Sequence, residues 1–327
     1  NATPPVIQPE LVFEALPSLS RVKHAEKRYD DFAREPLLPN KLSQFGPGQA
    51  WSDVNGDGVD DFYLGQGKGA PGRLIILRDR QGGLKPMPLP NDGDFEDMGC
   101  LFFDADGDGD QDLYIVSGGV ECENDEDSLQ DRLYLNDGAG KMTLAPKGAL
   151  PSARHSGSCV SAADFDRDGD LDLFIGGRTV PGYYPTAAAS QLLRNEGGGR
   201  FVDVTSDLAP ALSNSRAGIV TSAVWSDIDN DGWIDLVLAR EWDTVGIFKN
   251  TEGELKALPQ SAGAETRRGW WNGVTSADLD GDGDFDLVVT NFGLNTKYHA
   301  SPEKPALLFY GDVANSGRKH LIEAEFE

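Results

Sequence analysis

The chain has 327 residues and a formal charge of −25, with 29 Lys and Arg against 54 Asp and Glu. That balance argues against nucleic acid, whose phosphates this surface would repel, and against an anionic membrane. No apolar run reaches the ~18 residues that would read as a membrane-spanning helix. The three cysteines, Cys100, Cys122 and Cys159, show no CxxC spacing and are too few for a disulfide scaffold.

Residues 1–45 read as a lead-in. The start, Asn1-Ala-Thr-Pro-Pro5, suits a linker and has no charged segment followed by an apolar stretch. The expectation is that a signal has been removed or that the sequence begins internally. Leu11–Ala15 reads as a strand without neighbours, a candidate for closing the last repeat.

From residue 46 onward a repeat takes over. Five segments share the pattern D-x-[DN]-x-D-G-x-x-D, and positions 1, 3, 5, 7 and 9 are the ones that matter. In the first loop these are Asp53, Asn55, Asp57, Val59 and Asp61. In the second they are Asp104, Asp106, Asp108, Asp110 and Asp112. The third has Asp164, Asp166, Asp168, Asp170 and Asp172, the fourth Asp227, Asp229, Asp231, Trp233 and Asp235. The fifth has Asp278, Asp280, Asp282, Asp284 and Asp286. A sixth segment, Asp312–His320, keeps the first Asp and the Gly but has Ala314, Ser316 and His320 where acids are needed. It reads as the same unit without its cation site.

The flanks say what the unit is. Short apolar runs follow each ninth position: Phe62–Leu64, Leu113–Ile115, Leu173–Ile175, Leu236–Leu238 and Leu287–Val289. Others precede the loops, among them Cys100–Phe103, Cys159–Ala163 and Val220–Trp225. They read as buried strands joined by the acidic loop. Further pairs meet at Gly-containing turns, for example Arg132–Asn136 with Lys141–Leu144 and Gln191–Asn195 with Arg200–Val204, which is the hairpin signal. Arg73–Leu77 meets Leu84 across Gln81–Gly83 in the same way. Helices are expected to be short, within 124–131 and 205–213.

Four antiparallel strands repeating every ~50–60 residues define the blades of an all-β propeller. Six blades are expected, the last built from both ends of the chain, with seven the alternative.

A nine-residue loop with acids at positions 1, 3, 5 and 9, and a carbonyl at position 7, can wrap oxygen ligands around calcium. Without a cation the crowded carboxylates would repel one another and favour protonation. Magnesium prefers near-octahedral geometry and keeps its waters, so it fits less well, and no His or Cys invites a transition metal. An EF-hand would need Glu at position 12, where this chain has Leu64, Ile115, Ile175, Leu238 and Val289. Solitary Asp/Gly turns would not recur five times in one register. About five Ca²⁺ ions, one per intact loop, are expected.

At these residues the sequence resembles the FG-GAP/VCBS-repeat β-propellers, which include the integrin α-subunit head. It is more closely similar to secreted bacterial VCBS-repeat proteins associated with ASPIC/UnbV segments. The five loops, Phe45–Gly48 with Gly69–Pro71, and Asn291–Pro302 carry the resemblance, which spans roughly residues 24–327. It implies calcium held by positions 1, 3, 5, 7 and 9 between the first and second strands of a blade, export, and a role in adhesion or assembly. Family members usually continue beyond the point where this chain stops, so a piece of a larger chain is expected.

Other residues point less sharply. Trp51 and Trp225 sit two residues before a loop and read as blade packing. Trp242, Trp270 and Trp271 could stack on a sugar or peptide, or simply pack. Arg178 and Tyr183-Tyr184 lie in an insertion, and the acidic insertion 121–131 could face a partner. Cys100 and Cys159 read as equivalent first-strand positions that could lie close. The four histidines match no HExxH spacing, and no GxSxG, Walker A or Rossmann fingerprint is present.

The expectation is therefore a non-catalytic calcium-binding propeller in an extracellular, cell-surface or periplasmic setting. It would serve adhesion, scaffolding or assembly with a protein or glycan partner, without nucleic acid and without membrane insertion. The alternative is a propeller enzyme, a polysaccharide lyase or hydrolase using the central channel.

Overall fold

The computed structural model describes residues 17–78, 83–90, 93–259, 267–313, 315 and 319–326. The candidate strand Leu11–Ala15, turn residues Gln81 and Gly82, and Ala314 and Ser316 of the sixth segment lie outside the described residues.

Four antiparallel sheets follow one another along the chain. The first holds β1 (Gln49–Ser52), β2 (Asp61–Leu64), β3 (Arg73–Leu77) and β4 (Leu84–Pro88). The second holds β5 (Asp97–Phe103), β6 (Asp112–Ser117), β7 (Arg132–Leu135) and β8 (Thr143–Leu144). The third holds β9 (Gly157–Ala163), β10 (Asp172–Gly177), β11 (Gln191–Asn195) and β12 (Phe201–Asp203). The fourth holds β13 (Ile219–Ser226), β14 (Asp235–Asp243), β15 (Gly246–Thr251) and β16 (Glu254–Ala257). A fifth unit contributes β17 (Gly269–Ala277) and β18 (Asp286–Asn291), and a sixth contributes β19 (Leu307–Gly311) and β20 (His320–Ala324). The end of β14 also pairs with the start of β17, through Glu241 with Trp270 and Asp243 with Gly269. The expected short helices are found at Asp127–Leu129 and Thr205–Leu208, and the lead-in adds one turn at Asp31–Arg34.

One register unites all six units. The residue before each loop pairs with the loop's ninth residue: Ser52 with Asp61, Phe103 with Asp112, Ala163 with Asp172, Ser226 with Asp235 and Ala277 with Asp286. Gly311 pairs with His320 in the same way. The sixth segment is thus the same hairpin without the acids.

The sheets stack face to face. On β6, Leu113 and Ile115 pack with Tyr63 and Leu74 of the first sheet, whereas the alternate residues Tyr114 and Val116 pack with Leu173 and Leu193 of the third. Phe174 turns the other way, toward Leu236 and Phe248 of the fourth. A strand buried on both faces reads as a continuous apolar run, which is why the second strands are uninterrupted in sequence. This alternation makes the architecture a β-propeller. The first strands of successive sheets, β1, β5, β9, β13 and β17, lie beside one another.

Bulges in those first strands bring them together. Ser158 and Thr221 are the extra residues. The Ser158 hydroxyl lies 2.7 Å from Val220 O, and that of Thr221 lies 2.8 Å from Trp271 O, each reaching into the next unit. At Gly99 a Cβ would stand 2.9 Å from Cys159 Cα, so the close approach of β5 and β9 needs glycine there.

The lead-in is part of this body. Leu19 and Val22 cover Phe62, Leu64, Ile75 and Leu77, the face of the first sheet that turns away from the second. Tyr29, Leu38, Leu42 and Phe45 form one cluster with Val120, Tyr184, Ile219, Leu308 and Leu321, residues from the second, third, fourth and sixth units. Asp31 anchors the segment by accepting from Leu42 N, Ser43 N and the Ser43 hydroxyl.

Two expectations need correction. Cys100 and Cys159 are not equivalent positions: their strands lie side by side, but all three cysteines are free, Cys100 packing between the first and second sheets and Cys159 between the third and fourth. Counted from the loop they differ by one residue, which turns them to different neighbours. Trp225 is buried as expected, at 7% exposure, but Trp51 stacks on Phe62 with one face only and stays 52% exposed.

Gly99→Val should destabilise the protein by ~1–3 kcal/mol through overpacking between β5 and β9. Urea denaturation in excess calcium measures this, and an unchanged midpoint would contradict the packing described.

Candidate metal centre

Each loop is wound by its own side chains. The position-1 aspartate accepts the position-6 amide: Gly58 N to Asp53 at 2.7 Å, Gly109 N to Asp104 at 3.0 Å and Gly232 N to Asp227 at 2.8 Å. Loops three and five do the same through Gly169 and Gly283 at 3.2 Å. The position-5 aspartate accepts the position-7 amide at 2.9 Å in all five loops. Position 6 has φ between 81° and 101° in these loops, a left-handed conformation that glycine adopts without a Cβ clash.

The ninth aspartate ties the loop to the sheet. One oxygen accepts the position-2 amide, from Val54, Ala105, Phe165, Ile228 and Leu279 in turn. In the four complete sheets the other oxygen accepts an amide of the third strand, from Leu77, Asn136, Asn195 and Asn250 at 2.7–2.8 Å. Asp61, Asp112, Asp172 and Asp235 are fully buried, whereas Asp286 is exposed, the fifth unit having no third strand among the described residues.

A second fastening was not anticipated from sequence. Asn136 Nδ2 donates to Val54 O of the preceding loop at 2.8 Å and to Gln111 O of its own loop at 3.1 Å. Asn195 repeats this with Ala105 O and Leu171 O, and Asn250 with Phe165 O and Ile234 O. Their Oδ1 atoms accept from Gly140, Gly197 and Gly253 in the hairpin turns. The available signal was an Asn at the end of three successive third strands.

The loops gather acids as expected. Oxygens of Asp104, Asp106 and Asp108 lie within 4.8 Å of one another, as do those of Asp164, Asp166 and Asp172, of Asp227, Asp229 and Asp235, and of Asp278, Asp280 and Asp282. These groups can hold metal ions. In loop one Asn55 replaces an acid, and its Nδ2 donates to Asp61. The buried atoms Asp164 Oδ1 and Asp227 Oδ1 have no hydrogen-bond partner, so the donor sets fit a cation.

The electrostatics agree. Burial pushes Asp112 up to about 6 and Asp172 up to about 7, against the pull of their backbone donors, and neighbouring aspartates add to the rise. Asp106 and Asp166 are raised by burial and then by Asp108 and Asp168. At Asp53 burial also works upward, but four backbone amides outweigh it and hold the carboxyl below its usual range.

Away from the loops, several residues singled out in the sequence come together. Arg178 pairs with the buried Glu241 at 3.0 Å and lies over the Phe45 ring. Tyr184 donates to Glu241, Trp242 donates to Tyr184, and Trp242 packs against Trp270 and Tyr298. Tyr183 and Trp271 do not join them: Tyr183 is exposed, and Trp271 donates to Arg267 O. The acidic insertion is held by bases, Glu123 by Arg34, Glu126 by Lys68 and Asp127 by Arg154.

Fold and loops together define a β-propeller with acidic loops suited to metal between first and second strands. Residues 104–175 and 227–289 match the FG-GAP-like repeat. Cartilage acidic protein 1 of Mus musculus is 29% identical over 153 residues, covering 42% of this chain and 22% of the mouse protein. Among solved structures, the V. cholerae biofilm matrix protein Bap1 aligns with a TM-score of 0.38 and 18% identity, over 79% of this chain and 37% of that one. The rhamnogalacturonan lyase PL11 of Bacillus licheniformis aligns with a TM-score of 0.37 and 15% identity, over 84% and 56%. This chain spans less than two thirds of the length of each of these relatives.

A carboxyl whose pKa is higher in the folded chain than in the unfolded one stabilises the fold while protonated. That contribution is full below the unfolded value of about 4 and is lost as pH rises through the folded value. In calcium-free protein, stability should therefore fall as pH rises from about 4 to about 6 and 7, the values of Asp112 and Asp172, and level off above them. Urea midpoints across this range measure it, and a flat profile would contradict the burial argument. Asn195→Ala should cost about 2–4 kcal/mol by removing several buried hydrogen bonds. A loss under about 0.5 kcal/mol in the same assay would show that the fastening is not used.

Proposed function

We infer that the protein is an extracytoplasmic calcium-binding β-propeller acting as a non-catalytic adhesion, scaffold or assembly module. The observation that carries this reading is the construction of the loops. Five segments wind their acids inward on the same backbone hydrogen bonds, and two position-1 aspartates keep a buried oxygen without a partner. Side chains at positions 1, 3, 5 and 9 and the carbonyl at position 7 would ligate each ion, a hard oxygen set of the kind calcium takes. The ion would neutralise the loop, and the ninth aspartate would transmit that gain to the third strand.

Such loops need plentiful calcium, which supports a setting outside the cytoplasm. No helix among the described residues is long and apolar enough to cross a membrane. The mouse relative's name, Cartilage acidic protein 1, agrees with an extracellular setting. Exposed Tyr183, Phe285, Leu294 and Phe309 offer apolar contacts to a protein or glycan partner.

The enzymatic alternative requires an open central channel lined with acids, bases or Tyr and Arg. Here the lead-in residues Tyr29, Leu38, Leu42 and Phe45 contact the second, third, fourth and sixth units together. This packing of the lead-in over four units supports the non-catalytic reading.

Calcium should raise the melting temperature relative to EGTA, each site adding about 2.7 kcal/mol at a hundredfold excess over its Kd. No shift would remove the calcium reading. Turnover in a panel of polysaccharide lyase and glycosidase substrates would instead revive the alternative.

A further inference from the structure

The five loops are built alike but are not electrically alike. In the fourth, Lys249 of β15 reaches in, and its ammonium pairs with Asp229 and, at 3.0 Å, with Asp231. These are the third- and fifth-position acids. The corresponding residue, the one before the fastening Asn, is Leu135 in the second unit and Arg194 in the third. Leu135 has no charge, and Arg194 is held by Glu196 through two contacts of 2.6 and 2.9 Å.

Two further features lower the negative field of loop four. Its seventh position is Trp233, where loops two, three and five have Asp110, Asp170 and Asp284. A second base arrives from loop three: Arg167 lies 4.1 Å over the Trp233 ring and donates to Gly232 O. Room for an ion remains, since Asp227, Asp229 and Asp235 still gather oxygens within 4.8 Å and Asp227 Oδ1 is buried without a partner.

We propose that Lys249 is a built-in counter-cation of the fourth loop, so that this loop is partly neutralised in calcium-free protein and takes calcium last and most weakly. The inference rests on the calcium reading above and adds an order to it. Calcium entering loop four must displace the ammonium from two of its ligands, whereas among the described residues no base forms an ion pair with the acids of the other loops, Arg194 beside loop three being paired with Glu196. Loop four then responds to calcium over a higher concentration range than its neighbours. It is linked to both of them, through Arg167 to loop three and through Asn230, which donates to Asp284 of loop five at 2.6 Å.

Terbium luminescence reads this loop directly, because Trp233 lies at the seventh position and would sensitise an ion bound there. The difference between the protein and its Trp233→Phe form isolates the loop-four signal, and calorimetry with calcium counts all sites. In the unmodified protein the loop-four signal should saturate after the other sites. Lys249→Met should lower its midpoint at least about tenfold, and Lys249→Arg should stay within about threefold of the original. Far-UV circular dichroism would confirm that both variants are folded. An unchanged midpoint in folded Lys249→Met, or loop four filling with the first equivalents, overturns the proposal. Calcium binding at the other loops alongside either result leaves the functional reading standing. No calcium heat at any loop overturns that reading and this inference with it.

Discussion

The structure depends on a carboxylate that has to serve two masters. The ninth aspartate of each loop sits where the loop ends and the second strand begins, and in the four complete sheets it is buried. One oxygen closes the loop through the position-2 amide and the other holds the third strand. Burying such a group beside three or four more acids is costly unless a cation neutralises the cluster. Divalent ions in the loops, as proposed, would offset part of the acidity of the chain.

That local arrangement propagates around the ring. Asn136, Asn195 and Asn250 each hold a carbonyl of their own loop and one of the preceding loop, so adjacent sheets share hydrogen bonds at their loop ends. Near the axis, Ser158 and Thr221 do the same between first strands. Between these two rims the sheets are glued by alternating apolar residues. The lead-in supplies what the first sheet lacks on its outer face, Leu19 and Val22, and then packs on residues of the second, third, fourth and sixth units.

Much of this was legible in the sequence, for identifiable reasons. A D-x-[DN]-x-D-G-x-x-D loop encodes its own winding, because every hydrogen bond that shapes it runs between residues at most eight positions apart. The uninterrupted runs after each loop showed that the second strands are buried on both faces. Even the sixth hairpin could be read from the remaining Asp312 and its spacing, and its register confirms it. What stayed hidden depends on neighbours in space. The reach of Asn195 to Ala105, of Arg167 to Gly232 and of Lys249 to Asp229 crosses between elements that sequence separation does not relate simply. Trp51 misled because its position matches that of Trp225, yet Trp225 packs against the preceding sheet, stacking on Phe165 and donating to Ser161 O, whereas Trp51 is half exposed. The cysteines misled by a one-residue offset, which on a strand means a different face. The placement of the lead-in had no periodic signal to announce it.

The account's central claim is that the five loops are calcium centres that fasten the first two strands of each blade. A crystal structure determined from calcium-containing solution, with anomalous scattering to identify the ions, tests it most directly. The account predicts ion density in loops one to five, with oxygens of positions 1, 3, 5, 7 and 9 at about 2.3–2.6 Å, and none at Asp312–His320. Empty loops with their aspartates turned outward would contradict it.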